Sequence, residues 1–454
     1  MNSLVSIAGP PALSLTPLSP DGTSRVAVVG AGIAGLSAAW LLREHAQVTL
    51  FEAEARAGGH AETQEIMEGG AAIPVDTGFI VYNTLNYQHL SGFFDTLGVQ
   101  TRASDMSFAV SVGGGALEYG GGAYGALFAQ RRNALRPSFW FMLRDIMRFY
   151  REAPALVAGS GEEALGDWLG RRGYGRAFID HHILPMGAAI WSASVEGMRA
   201  FPARHFARFF QNHGLLRLSD RPQWRTVTGG SRVYVRRVLE DLPGRVRLGA
   251  AVRGVSRDSE GVVMHLGDGR AERFDQVVLA CHADQALALL HQPTRGEGEV
   301  LGAIACSDNL AVLHSDPALM PRRRGVWSAW NYLSDGGTDH AAQVSVTYWM
   351  NCLQGLETRE PVFVTLNPLR APDPARVVST RTYRHPQFDA GAMRAQLRLP
   401  ELQGQGGVWF AGAWTGWGFH EDGIASAVRV ARGLGVAAPW ERDVVAAPAL
   451  SYAA

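Results

Sequence analysis

The chain has 454 residues, with 42 Lys+Arg against 42 Asp+Glu, 47% hydrophobic residues and 9% aromatic ones. That composition builds large cores and is too apolar for a disordered chain, and at roughly 150 residues per domain the length allows two or three units. Zero formal net charge excludes an ordinary nucleic-acid binder, and because all 42 basic residues are arginine, Schiff-base lysine chemistry and a phosphate loop ending in Gly-Lys-Ser/Thr are excluded too.

Residues 1–24 mix Pro, Ser, Gly and Leu without a basic start or a compact apolar run, so they read as a flexible leader and not as a signal peptide. The three cysteines, Cys281, Cys306 and Cys352, give neither a disulfide framework nor paired zinc spacing, and fit a reducing cytoplasm. No metal site is expected. No apolar run reaches the ~18 residues of a membrane span.

Order begins at Arg25. Val26-Ala27-Val28-Val29 reads as a buried parallel strand and runs into Gly30-Ala31-Gly32-Ile33-Ala34-Gly35. A helical pattern follows through Leu36, Ala38, Ala39, Leu41 and Leu42, then a second strand, Val48-Thr49-Leu50-Phe51, ending in Glu52. Gly30 allows the tight turn, Gly32 lets a pyrophosphate approach the backbone, and Gly35 lets the helix pack on the strand. The helix amino end then offers unpaired N–H groups to the phosphates. Glu52 lies 22 residues after Gly30, where a carboxylate accepts from a ribose hydroxyl and disfavours a 2′-phosphate. Strand, glycines, helix, strand and acid in that order form a dinucleotide site, but they do not separate NAD from FAD.

Residues 124–157 interleave Tyr124, Leu127, Phe128, Leu135, Phe139-Trp140-Phe141-Met142-Leu143, Ile146-Met147 and Phe149-Tyr150 with Arg131, Arg132, Arg136, Arg144, Arg148 and Arg151. They fit a pair of amphipathic helices packed on a substrate domain, or a surface for an anionic membrane. Asp180-His181-His182 lacks a second ligand at metal spacing. Gly229-Gly230 reads as a further turn of the nucleotide domain. Val246 to Leu266 alternates as strands, and Asp275 to Ala280 is a buried strand entering Cys281-His282-Ala283-Asp284; His282 and Asp284 read as a structural turn rather than a catalytic pair. In the aromatic group from Trp327 to Trp349, alternation sets Val346 and Tyr348 on one face and Thr347 and Trp349 on the other, with Tyr348 a substrate-pocket candidate. At the far end, Val408 to Gly412 reads as a strand into a glycine turn and Gly423 to Leu434 as a helix. Trp414, Trp417 and Phe419 cluster in the intervening glycine-rich turn, as pocket walls or as ordinary packing.

Glu52-Ala53-Glu54-Ala55-Arg56-Ala57-Gly58-Gly59-His60 resembles the acid-x-x-x-Arg-x-Gly-Gly segment of the amine oxidase and phytoene desaturase flavoproteins. Asp76-Thr77-Gly78-Phe79 resembles their turn near the flavin, and Val408 to Leu434 their last strand and helix. Gly-Gly-His, the run from Asp76 to Asn83 and Gly418-Phe419-His420-Glu421-Asp422-Gly423 resemble a bacterial branch of amine-oxidase-like proteins associated with cyclopropane-fatty-acid-synthase-like lipid methyltransferases. The resemblance spans roughly residues 25–435. It implies FAD as cofactor, held by Gly30, Gly32, Ala34, Gly35, Glu52, Ala53, Arg56, Gly58, Gly59, His60, Thr77, Gly78, Phe79, Val252, Gly412, Glu421, Asp422, Gly423 and Ile424. The family's usual acid after Phe-Ala-Gly is replaced by Ala413 and Trp414, and its Gly-Gly-Arg by a sequence ending in His60.

The fold implied is α/β: a split, doubly wound Rossmann-like FAD-binding domain of the GR2 type with an inserted α+β substrate domain. Its pieces are expected at 25–90, 221–300 and 401–436, with the substrate domain at 91–220 and 301–400 and a tail at 437–454. The function implied is an FAD-dependent oxidoreductase that takes hydrogen, as hydride to flavin N5, from an apolar substrate, an unsaturated or methyl-branched fatty acyl chain of a membrane lipid. His60 and His420 are the candidate bases, with Tyr348, Trp414, Trp417 and Phe419 shaping the pocket. An amine oxidase is the alternative, against which the missing lysine counts, since relatives commonly use one beside the flavin. A flavin-binding accessory subunit for a lipid methyltransferase is a third reading. The expected partners are an apolar or lipid substrate, the inner face of the membrane and a lipid methyltransferase, with no nucleic acid.

Overall fold

The computed structural model describes residues 17–121, 124–159, 161–336 and 344–441. Most of the leader and of the tail, and the side chain of Tyr124, lie outside the described residues. The chain divides into two compact units.

The first unit comprises Met1–Gly59, Val235–Ala305 and Gly391–Ala454. Its centre is a five-stranded parallel sheet in the order Val246–Arg247, Gln47–Phe51, Arg25–Val29, Gln276–Leu279, Val408–Phe410. The β-branched run of Arg25–Val29 pairs on both sides, which is why it reads as continuously apolar. The helix Ile33–Leu42 is buried along its whole length, as its near-uniform apolar sequence requires. An antiparallel sheet of Val252–Asp258, Gly261–Leu266 and Ala271–Phe274 contributes Val255, Val262, Met264 and Phe274 to a core shared with Phe51, Leu279, Phe410 and Trp414. The helix His420–Gly433 closes the unit.

The second unit comprises His60–Tyr234 and Cys306–Ala390. Its seven-stranded mixed sheet runs in the order Val377–Pro386, Cys306–His314, Phe363–Leu366, Ser345–Trp349, Trp330–Ser334, Phe108–Val112, Leu117–Gly120. A run of helices, the longest being Pro137–Ala158, accompanies it. This is the α/β nucleotide domain plus α+β insertion that the sequence implies, cut at different places. Residues 60–90 and the Gly229-Gly230 turn belong to the second unit, and the first resumes at Val235 and again at Gly391.

Candidate active site

In the first unit the glycine turn is shaped by backbone contact. A Cβ on Gly35 would lie 1.8 Å from the Gly30 carbonyl oxygen, so the helix can approach its strand only through glycine. At Gly32 a Cβ would meet nothing within 4 Å, and among the described residues no side chain caps the amino end of the helix Ile33–Leu42. That end is therefore an uncapped ring of N–H groups facing open space, as a phosphate site requires. Glu52 leans over the same turn, accepting from the Ala31 N–H at 2.7 Å and from the Glu54 N–H at 2.9 Å.

The second glycine motif packs onto the first. The Gly58 N–H donates to the Ala31 carbonyl at 2.7 Å, and Gly59 has φ of +55° with its Cβ position 3.1 Å from the Gly32 Cα. A side chain at Gly59 would be both strained and crowded. Arg56 donates to the Gly59 carbonyl at 2.7 Å, holding that turn, and Ala53 is exposed beside it.

The carboxy-terminal helix brings its amino end to the same place. A Cβ on Gly423 would lie 2.7 Å from Ile33 Cγ2, and Ala34 and Ile424 are buried there. Ser426 Oγ accepts from the Gly412 N–H at 2.9 Å and donates to the Gly423 carbonyl, tying strand end to helix. Val252 is half-buried at the start of its strand.

The other expected site residues of the first unit are placed as follows. Trp414 is 1% exposed, sits in the core cluster, and donates its indole N–H to the Cys281 carbonyl at 2.9 Å, so it packs in the interior of the first unit. Asp422 is buried at the start of the last helix, accepting from the Phe419 N–H at 2.9 Å, which closes the 416–422 turn, and burial raises its pKa to about 6. Burial pushes the His420 pKa down to about 3, which favours the neutral imidazole. Trp417 and Phe419 are half-buried and Glu421 is buried. His282 stands at the amino end of the helix Ala283–Leu289, where the Asp284 carboxylate accepts from the Gln285 N–H, which agrees with a structural turn.

His60 opens the second unit. Its ring stacks on Tyr383 at 5.0 Å between centroids and lies 5.4 Å from His385. The His60 carbonyl accepts from the Phe79 N–H at 2.8 Å, and Gly78 sits so close that a Cβ would be 2.2 Å from the same oxygen. Thr77 Oγ1 shares a hydrogen bond with the Tyr383 hydroxyl at 2.7 Å. The structure thus joins His60, Thr77, Gly78 and Phe79, and adds Tyr383 and His385, which sequence reasoning missed. Their signal was alternation along Val377–Pro386, which places Arg381, Tyr383 and His385 on one face. Asn309 donates to His385 Nδ1 at 2.9 Å while its own oxygen accepts from Asn367, so in the neutral imidazole the proton is on Nε2.

The carboxylates beside this cluster are occupied. Glu62 pairs with Arg381 at 3.0 Å and accepts from Gln64. Asp76 accepts from Thr63, Ser231 and Gln354, and burial still raises its pKa to about 6. Tyr348 is buried, edge-on to Trp330 at 4.8 Å. Asp180 pairs with Arg199, and the His182 ring bonds Tyr119; no group of metal-ligating side chains occurs among the described residues.

A family model described as flavin containing amine oxidoreductase matches residues 33–434. The chain belongs to that family. As a flavin-containing amine oxidoreductase it is an FAD-dependent enzyme, and the uncapped helix end, the open face of Gly32 and the placement of Glu52 fit that cofactor. A protein of Mycobacterium tuberculosis provisionally named flavin-containing monoamine oxidase AofH is 25% identical over 367 residues, 77% of this chain and 72% of that one. Putrescine oxidase bound to putrescine shares the fold at a TM-score of 0.66 and 18% identity, covering 90% of this chain and 98% of that one. A CLA-producing fatty acid isomerase from P. acnes does so at 0.64 and 15% identity, covering 91% and 99%. Cyclohexylamine oxidase from Brevibacterium oxydans does so at 0.64 and 15%, covering 91% and 100%.

Proposed function

We propose that this flavin enzyme removes hydrogen from an apolar substrate, a fatty acyl chain of a membrane lipid, rather than from an amine. The observation that carries the reading is the state of the carboxylates near His60: Glu62 is neutralised by Arg381, and Asp76 is spent on Thr63, Ser231 and Gln354. An ammonium substrate brought there would find both of these carboxylates already engaged, and removing a charge from water without a partner is costly. The absence of lysine points the same way. That a fatty acid isomerase shares the fold supports an acyl substrate, whereas the monoamine oxidase name of the M. tuberculosis relative favours the amine alternative.

FAD, when bound, supplies the two-electron oxidation. The chain supplies the rest. His60 is the proton acceptor at its ring, oriented by stacking on Tyr383, whose hydroxyl is fixed by Thr77. His385, with Nδ1 engaged by Asn309, lies beside His60 in the same cluster. The buried aromatics of the second unit keep water out.

Anaerobic mixing of the FAD-loaded protein with bacterial phospholipid, and separately with a panel of amines, tests the reading. Loss of the oxidised flavin absorbance with lipid alone is expected; loss with an amine alone overturns it. His60→Ala should lower the rate of that loss by about 10²–10⁴-fold, the usual range for an acid–base group, with His420→Gln close to wild type. A full rate in His60→Ala would remove the base assignment.

A further inference from the structure

We propose that the outward face of the helix Pro137–Ala158, with the turns beside it, is a docking surface for an anionic lipid bilayer. Phe139, Met142, Phe149 and Ala153 bury one stripe of this helix in the second unit. A different stripe faces out: Trp140, Arg144, Met147 and Arg151 recur at helical spacing, with Phe141 and Leu135 alongside. Leu135 is 86% exposed, Phe141 55% and Trp140 51%, which is unusual for large apolar residues grouped within seven positions. Trp140 is held in this outward position, its indole N–H donating to the Ala134 carbonyl at 2.9 Å and its ring 5.6 Å from that of Phe128. The Arg144 guanidinium lies 5.2 Å from the Phe141 ring.

The charge around these residues is predominantly positive, although Glu152 on the same helix pairs with Arg148 and Arg172. Residues 131–151 contain six arginines and one acid, Asp145, which is buried and bonded to the Gly175 N–H and Arg144. A second cationic turn adjoins the first: Arg132 and Arg323 both donate to the Gly115 carbonyl, at 3.3 and 3.4 Å, which brings Arg322-Arg323-Arg324 beside it. Glu118 is buried and spent on Arg323 and the Arg322 N–H. Arg131, Arg322 and Arg324 are exposed and have no carboxylate partner among the described residues.

Charge selects the occupant. A second copy seated face to face would set this arginine surface against itself, since a twofold contact uses the same patch on both subunits. Tryptophan, phenylalanine, leucine and methionine on a convex helix face, rimmed by arginines, match the depth profile of a lipid interface, with apolar groups below the phosphates and guanidinium groups at them. The contact would be peripheral, because no helix among the described residues is long and apolar enough to cross a membrane. The inference does not rest on the acyl-substrate reading, because docking is read without turnover.

The test is co-sedimentation of the FAD-loaded full chain with phosphatidylcholine vesicles, with and without phosphatidylglycerol, across a salt series. Binding only to the anionic vesicles, weakening as salt screens the charges, is expected. Trp140→Ser with Phe141→Ser should lower the partition at least about tenfold, and Arg131→Gln with Arg324→Gln about 25-fold, at about fivefold for each cation near the surface. Met67→Ser, an exposed apolar change on the hairpin Thr63–Glu68 and Ala71–Asp76, should leave it unchanged. Flavin absorbance and far-ultraviolet dichroism show that each variant folds. Wild-type protein left in the supernatant at low salt, full binding by the Trp140/Phe141 variant, or an oligomer in solution that this variant dissociates would each overturn the proposal.

Discussion

Replacing Gly32 with alanine separates cofactor binding from folding. Gly32 caps the helix Ile33–Leu42 with φ −76° and ψ −177°, which any L-residue adopts, and an added Cβ meets no atom within 4 Å. The fold should lose only the difference between glycine and alanine at an N-cap, about 0.5–1 kcal/mol. The same methyl group, however, occupies the open space over the uncapped N–H groups that a pyrophosphate must approach. Losing one charge-assisted hydrogen bond costs about 1.5–3 kcal/mol, or roughly 10–150-fold in the Kd for FAD at about 1.4 kcal/mol per decade. Urea unfolding of the apoprotein measures the first quantity and titration of the apoprotein with FAD, followed by flavin fluorescence, the second. Gly35→Ala is the contrast: its Cβ would lie 1.8 Å from the Gly30 oxygen and 3.2 Å from Ala280 Cβ. Backbone must move, so stability should fall by the upper end of the ~1–3 kcal/mol seen for overpacking, or more. Wild-type FAD affinity in Gly32→Ala, or equal stability of the two variants, would refute the reasoning.

Trp414→Ala should destabilise the protein by about 3–5 kcal/mol in urea, as for other buried large-to-small changes; a changed KM at unchanged stability would instead restore Trp414 as a pocket wall. Stability should also fall on mild acidification. Burial lowers His182, His213 and His314 to about 4 and His420 to about 3, against 6.5 when unfolded, so the stability they contribute is complete above about pH 6.5 and is lost as pH falls towards 4. Asp76 and Asp422, raised to about 6 from 3.8, act in the opposite sense, because the folded carboxyls take up protons first as pH falls. Four histidines against two carboxyls leave a net loss, so a urea midpoint that held or rose from pH 6.5 to 4 would contradict the burial of neutral imidazoles.

The nucleotide half was legible because its logic is local. Gly30, Gly32, Gly35 and Glu52 are set by a strand, a turn, a helix and a strand that follow one another directly; Gly30 and Gly35 answer backbone contacts made within that segment or to its neighbouring strand, and Gly32 leaves the space over the turn open. The cut at Gly59 was not legible, since it falls inside a continuous motif where composition does not change. Trp414 was ambiguous because an aromatic residue in a glycine-rich turn suits a pocket wall and a core equally well. What decides it is the Cys281 carbonyl, 133 residues away in sequence, which takes the indole N–H and turns the ring inward. Tyr383 and His385 escaped for the same reason: alternation marks a shared face of their strand, but only pairing at long range says that His60 stacks against it.

The absence of lysine and the convergence of two helix ends have a common physical consequence. A pyrophosphate needs positive potential, and within the first unit Arg56 spends donors on the Gly59 and Ala57 carbonyls. The backbone is a further source. The amino ends of Ile33–Leu42 and His420–Gly433 are close enough that Gly423 has no room for a side chain beside Ile33. Each end carries roughly half a positive charge, which Glu421 and Asp422 in the first turn of His420–Gly433 offset at the second end when they are ionised. The backbone part of that field is fixed by the fold and loses no side-chain entropy on binding, while Asp422, raised by burial to about 6, adds a part that titrates. It also explains why the chain returns to this unit at its far end: the second dipole can be aimed at the first only by a helix that starts where the strand Val408–Phe410, paired in parallel with Gln276–Leu279, leaves it.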